Sequence, residues 1–220
     1  MQTLSEFLKQ FRVRTFQKGE IILVEGEVPP SAYVVKKGVV KTYNLTAEGQ
    51  EKPISFDVEY EVFPIGWVFS KIPATQYFYE AFTDCEIFLV PREAYVDYIS
   101  GNPKATTHLL DDMIDRHLQF QMRVNALEQS KAAHKVINTL HYLCLGFGTE
   151  IKPDTVRVDL PLTQQDLANY MGLTRETTGI ELKKLEKQGI ISYKRQNYII
   201  RTNRLNEVLD DEYDPGLSFN

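Results

Sequence analysis

The chain has 220 residues and a mass of 25.4 kDa, enough for one large domain or two small ones. Apolar residues at 43% and charged residues at 25% exclude disordered, fibrous and collagen-like chains. The longest run free of Lys, Arg, Asp and Glu, Val136–Thr149, has 14 residues, short of the roughly 18 that a membrane span needs. Glu6 and Lys9 interrupt the apolar residues of the N-terminus, so no signal-peptide core is expected there. Two cysteines, Cys85 and Cys144, form no CxxC, which argues against a disulfide scaffold or a zinc finger. A reducing cytoplasm is the expected compartment.

Residues 12–91 read as all-β. The runs Ile21–Val24, Tyr33–Val35, Val39–Tyr43, Phe78–Phe82 and Ile87–Val90 are rich in β-branched and aromatic residues. Gly19, Gly26, Gly38 and Gly49 close successive turns, and strands this short and regular suggest a barrel or roll. The character changes at Asn102-Pro103, where a helical period begins. A heptad seam runs through Leu110, Met113, His117, Phe120, Val124 and Leu127 to Lys131, and a second stripe through Ile114, Leu118 and Met122. Two stripes imply a helix that packs against its own domain and also against something else. A second copy of the same helix is the economical partner, giving a homodimer; a central helix buried in a monomer is the alternative.

Lys131–Leu145 reads as a further helix, stopped by Gly146 and Gly148. In the stretch after it, Thr163-Gln-Gln-Asp166 is a capping box, Ala168 and Gly172 lie four apart, and Thr174 caps a second helix. Leu167, Met171, Leu173, Leu182 and Leu185 form the expected shared core. Ile190–Tyr193 and Tyr198–Arg201 flank Lys194-Arg195-Gln196-Asn197 as a basic hairpin. This is a helix-turn-helix with a wing.

Charge divides in the same way. The net charge is −5, yet residues 161–204 hold eight basic and four acidic side chains, or +4. The tail from Leu205 onward has five acids and no base. A basic module inside an acidic chain is the asymmetry expected when one part binds nucleic acid. The second helix, Thr174–Gln188, is expected to enter the major groove by its first turns. Arg175, Glu176, Gly179 and Ile180 are then the candidates for base contact. Glu176 can accept from cytosine N4, and Ile180 can offer only apolar contact to a thymine methyl. Thr163, Gln164, Thr174, Thr177, Lys194 and Arg195 are the candidates for backbone contact. The sequence has no GxSxG, P-loop or HExxH and no carboxylate pair at a telling spacing, so no enzymatic activity is expected. A winged helix used for protein contact alone is the remaining rival.

With these residues in view, the chain resembles the Crp–Fnr-type bacterial transcription regulators. LTQQDLANYMGLTRETTGIELKKLEKQGII is similar to the family pattern LTxQDLAxxxGxTRETVSRxLxxLxxxGxI. The glycine intervals of FQKGEIILVEGEVPPSAYVVKKGVVKTYNLTAEGQE extend the likeness across residues 12–204. The resemblance implies an α+β chain in three parts: a cyclic-nucleotide-binding-type β-roll (1–103), a long dimerisation helix (104–130) and a winged helix-turn-helix (131–220). It also implies a palindromic double-stranded operator, with RNA polymerase as a partner if the protein activates.

Departures from the pattern narrow the ligand. Cyclic-nucleotide binders of the family hold the phosphate with an Arg-Ser pair, where this chain has Thr75-Gln76. Around Gly66 the family's glutamate is missing. A phosphate buried without a guanidinium would lose several kcal/mol, roughly, of hydration, so cyclic AMP is not expected. No cysteine precedes Cys85 to hold an iron–sulfur cluster, and all four histidines lie on the helices after the roll; no metal or cofactor is expected. Ten of the 25 aromatics fall within residues 56–88. They read either as bulky core or as an apolar effector pocket formed by Trp67, Thr75, Gln76, Tyr77 and Tyr79, with Phe120 and Gln121 where relatives touch their nucleotide. Operation without an effector, and redox sensing through Cys85 or Cys144, stand as alternatives.

Overall fold

Residues 2–212 are described by a computed structural model in which the chain divides into two units, Met1–Met113 and Ile114–Asn220. The end of the acidic tail, residues 213–220, lies outside the described residues.

The first unit opens with helix α1 (Leu4–Leu8), followed by β1 (Arg12–Phe16), β2 (Ile21–Leu23), β3 (Ala32–Lys37), β4 (Val40–Leu45), β5 (Glu51–Asp57) and β6 (Val62–Phe63). After the short helix α2 (Ile65–Val68) come β7 (Phe78–Ala81), β8 (Cys85–Val90) and helix α3 (Arg92–Gly101). The strands form two antiparallel four-stranded sheets, ordered β1-β8-β3-β6 and β2-β7-β4-β5. Strands β3 and β8 are near-continuous apolar runs because both of their faces are buried. Tyr33, Val35 and Ile87 point into a core shared by the two sheets, together with Leu23, Val40, Phe63, Tyr79 and Ala81. Ala32, Val34, Phe88 and Val90 point the other way, against Leu8, Trp67, Tyr95 and Ile99 of the helices.

The five predicted runs coincide with β2, β3, β4, β7 and β8, and each of the four turn glycines has a positive φ. At Gly38 (φ 95°) the constraint is also steric: a Cβ would lie 2.4 Å from the Asp84 carbonyl oxygen and 2.8 Å from Cys85 Sγ. Residues 12–91 are not all β, since α2 interrupts them. Helicity also begins before the expected change at Asn102-Pro103: α3 starts at Arg92 and buries Tyr95 and Ile99, four residues apart, on one face.

Helix α4 (Pro103–Glu128) spans the boundary between the units. The second unit continues with α5 (Ala132–Phe147), β9 (Gly148–Lys152), β10 (Thr155–Val158), α6 (Gln164–Met171), α7 (Arg175–Lys187), β11 (Ile191–Lys194), β12 (Asn197–Arg201) and α8 (Thr202–Glu212). Its sheet is ordered β11-β12-β10-β9. Helix α5 is apolar around much of its circumference, burying Val136, Ile137, Leu140, Leu143 and Cys144. It does not stop at Gly146. That glycine stays helical beside the Gln119 side chain, and α5 ends at Gly148 (φ −104°). The requirement for glycine at 148 is space: a Cβ would fall 2.2 Å from the Cys144 carbonyl oxygen and 2.3 Å from Val156 Cγ1.

No helix among the described residues is long and apolar enough to cross a membrane.

Candidate functional site

Local rules build the helix-turn-helix. Thr163 caps α6: its hydroxyl accepts from the Asp166 N–H at 3.1 Å, and the Asp166 carboxylate accepts from the Thr163 N–H at 2.7 Å. Gly172 takes the left-handed conformation (φ 66°, ψ 34°) that turns the chain out of α6, which a residue with a Cβ adopts only with strain. Thr174 caps α7 by accepting from the Thr177 N–H at 3.1 Å. Ala168 is fully buried in the core with Leu167, Met171, Leu182 and Leu185; Leu173 is half-buried.

The opposite face of α7 is open to solvent. Arg175 and Glu176 are exposed, Gly179 is half-exposed and Ile180 is 56% exposed, all on the face predicted for base contact. Beside it the β11–β12 hairpin pairs Lys194 with Asn197, and its turn residue Arg195 is left-handed (φ 56°). Lys194 and Arg195 are exposed. Gln164, Arg175, Tyr193, Arg195 and Asn197 line one open groove between the start of α6, the start of α7 and the wing. Tyr193 and Asn197 were not among the predicted site residues. The strand alternation around them marks a hairpin, without showing which side meets α7.

The backbone candidates divide by what their hydroxyls already do. Thr163 donates to the Asp166 carboxylate at 2.6 Å, so both its hydroxyl proton and its N–H are committed to the cap. It has no donor left for a phosphate, contrary to expectation. Thr174 and Thr177 share a hydrogen bond at 2.9 Å, which uses one of their two hydroxyl protons and leaves the other.

The second unit also contains the last part of α4. The Arg123 guanidinium lies over the Tyr170 ring at 4.1 Å, and the Tyr170 hydroxyl donates to the Tyr142 hydroxyl at 3.0 Å. Burial pushes the Tyr170 phenol well above its ordinary pKa. Lys135 Nζ donates to the Leu127 carbonyl at 2.6 Å, closing the α4–α5 corner. Arg123 was missed because a basic residue on an amphipathic helix reads as a solvated one.

On α4 the seam residues Leu110, His117, Phe120 and Val124 are exposed and Met113 and Leu127 half-buried. Leu110 is 58% and Phe120 56% exposed. In the second stripe Ile114 and Leu118 are exposed as well, and Met122 is half-buried. Each stripe therefore has exposed apolar side chains.

Within the roll, the predicted effector residues do not converge. Trp67 belongs to the core between sheet and helices, under the Arg92 guanidinium at 4.9 Å, and not to the roll interior. Thr75 is 3% exposed, and its hydroxyl donates to the Val24 carbonyl at 2.5 Å, so it clasps the turn around Gly26. Gln76 is exposed, and Tyr77 is half-buried at the edge of the roll core. Tyr79 is buried inside the roll, stacked on Phe63 at 5.1 Å, which stacks on Tyr33 at 5.5 Å. Gln121, like Phe120, is exposed on α4. The one buried cation among the described residues, Lys41, is paired with Glu51 (2.6 Å) and Glu80 (3.2 Å). Inside the roll the buried polar pair is Thr42 and Asp57, 3.1 Å apart, which places a carboxylate rather than a base there.

The thiols are poorly placed for redox sensing. Cys85 is buried under the Gly38 turn, its Sγ 3.2 Å from the Val39 carbonyl oxygen, and burial raises its pKa. Burial pushes Cys144 up to about 12. Burial of both disfavours the thiolate that such chemistry needs.

Known proteins share this arrangement. Residues 13–102 match the cyclic nucleotide-binding domain, and residues 134–208 match the Crp-like helix-turn-helix domain. The chain is 25% identical over 190 residues to the global nitrogen regulator of Synechococcus elongatus, covering 86% of this chain and 85% of that one. It is 24% identical over 198 residues to the HTH-type transcriptional regulator ArcR of Staphylococcus haemolyticus, covering 90% and 86%. A solved structure of a CooA variant from Carboxydothermus hydrogenoformans superposes with a TM-score of 0.74 at 21% identity, over 91% of this chain and 88% of that one, a likeness of fold. With a sensor-type roll and a Crp-like helix-turn-helix in one chain, this protein belongs to the Crp–Fnr family, which are DNA-binding transcription regulators and not enzymes.

Proposed function

We propose that the protein acts as a cytoplasmic homodimer that recognises a palindromic operator through α7 and its wing, without a cyclic nucleotide. The solvent-facing surface of α7 carries this reading: Arg175, Glu176 and Ile180 stand together beside an exposed basic hairpin. Arg175 offers two donors to guanine, Glu176 accepts from cytosine and Ile180 meets a thymine methyl, while Gly179 lets the helix approach closely. Thr174, Thr177, Lys194 and Arg195 take the phosphates, which fix the register but do not specify sequence.

The uncovered seam of α4 supports the dimer. Exposed Leu110, Phe120 and Val124 on one helix form the kind of contiguous apolar surface that soluble monomers rarely keep. A second copy covers it and sets two recognition helices about one DNA turn apart. For the roll, stacked aromatics inside it and the commitment of Thr75 and Lys41 support DNA binding that needs no ligand. A mobility-shift assay on the upstream region of its own gene, with no small molecule added, tests this. A sequence-specific shift is expected; a shift that appears only after adding a cyclic nucleotide would contradict it.

A further inference from the structure

Gly179 sits mid-way along α7, where alanine would be the better helix former. Its φ is not positive, so backbone freedom does not explain it. A Cβ built at this position would meet a single atom within 4 Å: Oε1 of Gln164, at 3.3 Å. The Gln164 carboxamide thus lies over the gap that the glycine leaves. Gln164 is the first residue of α6, so the contact crosses from one helix of the motif to the other.

We propose that Gln164 is a base-reading residue, its carboxamide laid across Gly179 onto the recognition face of α7 to meet the edge of an adenine in the major groove. This rests on the DNA-binding reading above and changes the role expected for Gln164, which the sequence pattern assigns to the phosphates. Gly179 lies one helical turn from Arg175 and Glu176 and one turn from Lys183, within the exposed stripe. A side chain reaching over it joins that stripe. The carboxamide presents a donor and an acceptor on one plane, the pair that adenine N6 and N7 complement.

Two neighbours support the placement. Tyr193 on β11 lines the same groove as Gln164, so the amide faces a space bounded by α7 and the wing. The adjacent glutamine is committed within its own helix: Gln165 Nε2 donates to Asn169 Oδ1 at 2.8 Å. Of the two glutamines, Gln164 is the one whose carboxamide lies against Gly179.

Selection from a randomised palindrome library tests this with wild type, Gln164→Ala, Gln164→Glu and Gly179→Ala. Gln164→Ala should flatten one symmetric A·T preference per half-site by on the order of ten-fold, leaving the other positions unchanged. Gln164→Glu, which can only accept, should move that position towards a pair that presents the cytosine N4 donor. Gly179→Ala suits the helix and should fold, yet its Cβ should displace the amide and flatten the same position. Uniform weakening of all sequences by Gln164→Ala, with a shallower salt dependence, would make Gln164 a phosphate contact and overturn the proposal. So would an unchanged motif. A wild-type protein that enriches no motif would instead overturn the DNA-binding reading on which the proposal stands.

Discussion

The Arg123 guanidinium lies 4.1 Å over the ring of Tyr170, which joins the long helix α4 to the first helix of the helix-turn-helix. Tyr170 passes the contact on through its hydroxyl to Tyr142 on α5. Residues of α4, α5 and α6 therefore meet at Tyr170.

Removing this contact should loosen the DNA-binding unit. Arg123→Met keeps most of the apolar stem and deletes the charge, and should cost about 1–2 kcal/mol of unfolding free energy. Tyr170→Phe removes the hydroxyl bond alone and should cost about 1 kcal/mol. Urea titration of each variant, followed by far-ultraviolet circular dichroism, gives both numbers. A neutral Arg123→Met would show that the ring contact carries no stability.

The winged motif was legible because its signals are local. A cap, a small residue, a left-handed glycine and a second cap each act within four residues, and all reappear in α6 and α7. The roll was less legible where residues depend on distant partners. Strand β5 carries Pro53, which speaks against a strand, but β5 is the edge of its sheet and an edge can accommodate a missing donor. Helix α1 is only five residues long and holds its place through Phe7, stacked on Tyr98 at 4.1 Å. Trp67 was placed in the roll interior by its nearness in sequence to other aromatics. No periodicity shows which of two cores a ring enters when it lies on a four-residue helix between strands.

Assembly follows from the exposed seam. Replacing Phe120 and Val124 together by Glu puts charge where a second copy should pack and should give monomers that have lost operator binding. Sedimentation equilibrium reads the mass directly. A double variant that remains dimeric would move the interface off this seam.

Cyclic AMP and cyclic GMP should bind more weakly than about 1 mM, less than roughly 4 kcal/mol of affinity. Thr75 is committed to the Val24 turn, and Lys41 is already paired with two carboxylates. Micromolar binding of either nucleotide in a calorimetric titration would contradict this.

The thiols should resist alkylation in the native state. Burial raises the pKa of both, Cys144 to about 12, so little thiolate is present at pH 8. For such groups the proton is held more tightly when folded. The stability they contribute is intact below the unfolded thiol pKa of about 8.5 and declines as pH rises from there towards 12. Iodoacetamide labelling followed by mass spectrometry should modify Cys85 and Cys144 only after unfolding. Rapid native labelling, with a matching loss of DNA binding, would revive a redox role.

If the exposed face of α7 reads sequence, Ile180 is where that reading shows most directly. Ile180 is four residues after Glu176 on the same face, 56% exposed and without a hydrogen-bond donor. The measurement is selection from a randomised palindrome library with wild type and Ile180→Arg in parallel. The predicted wild-type motif is two-fold symmetric with A·T below Ile180. In Ile180→Arg that single pair should turn to G·C, with roughly 1–3 kcal/mol of discrimination, while the remaining positions stay as they were. A wild-type motif with G·C at that position, unmoved by Ile180→Arg, would contradict the account.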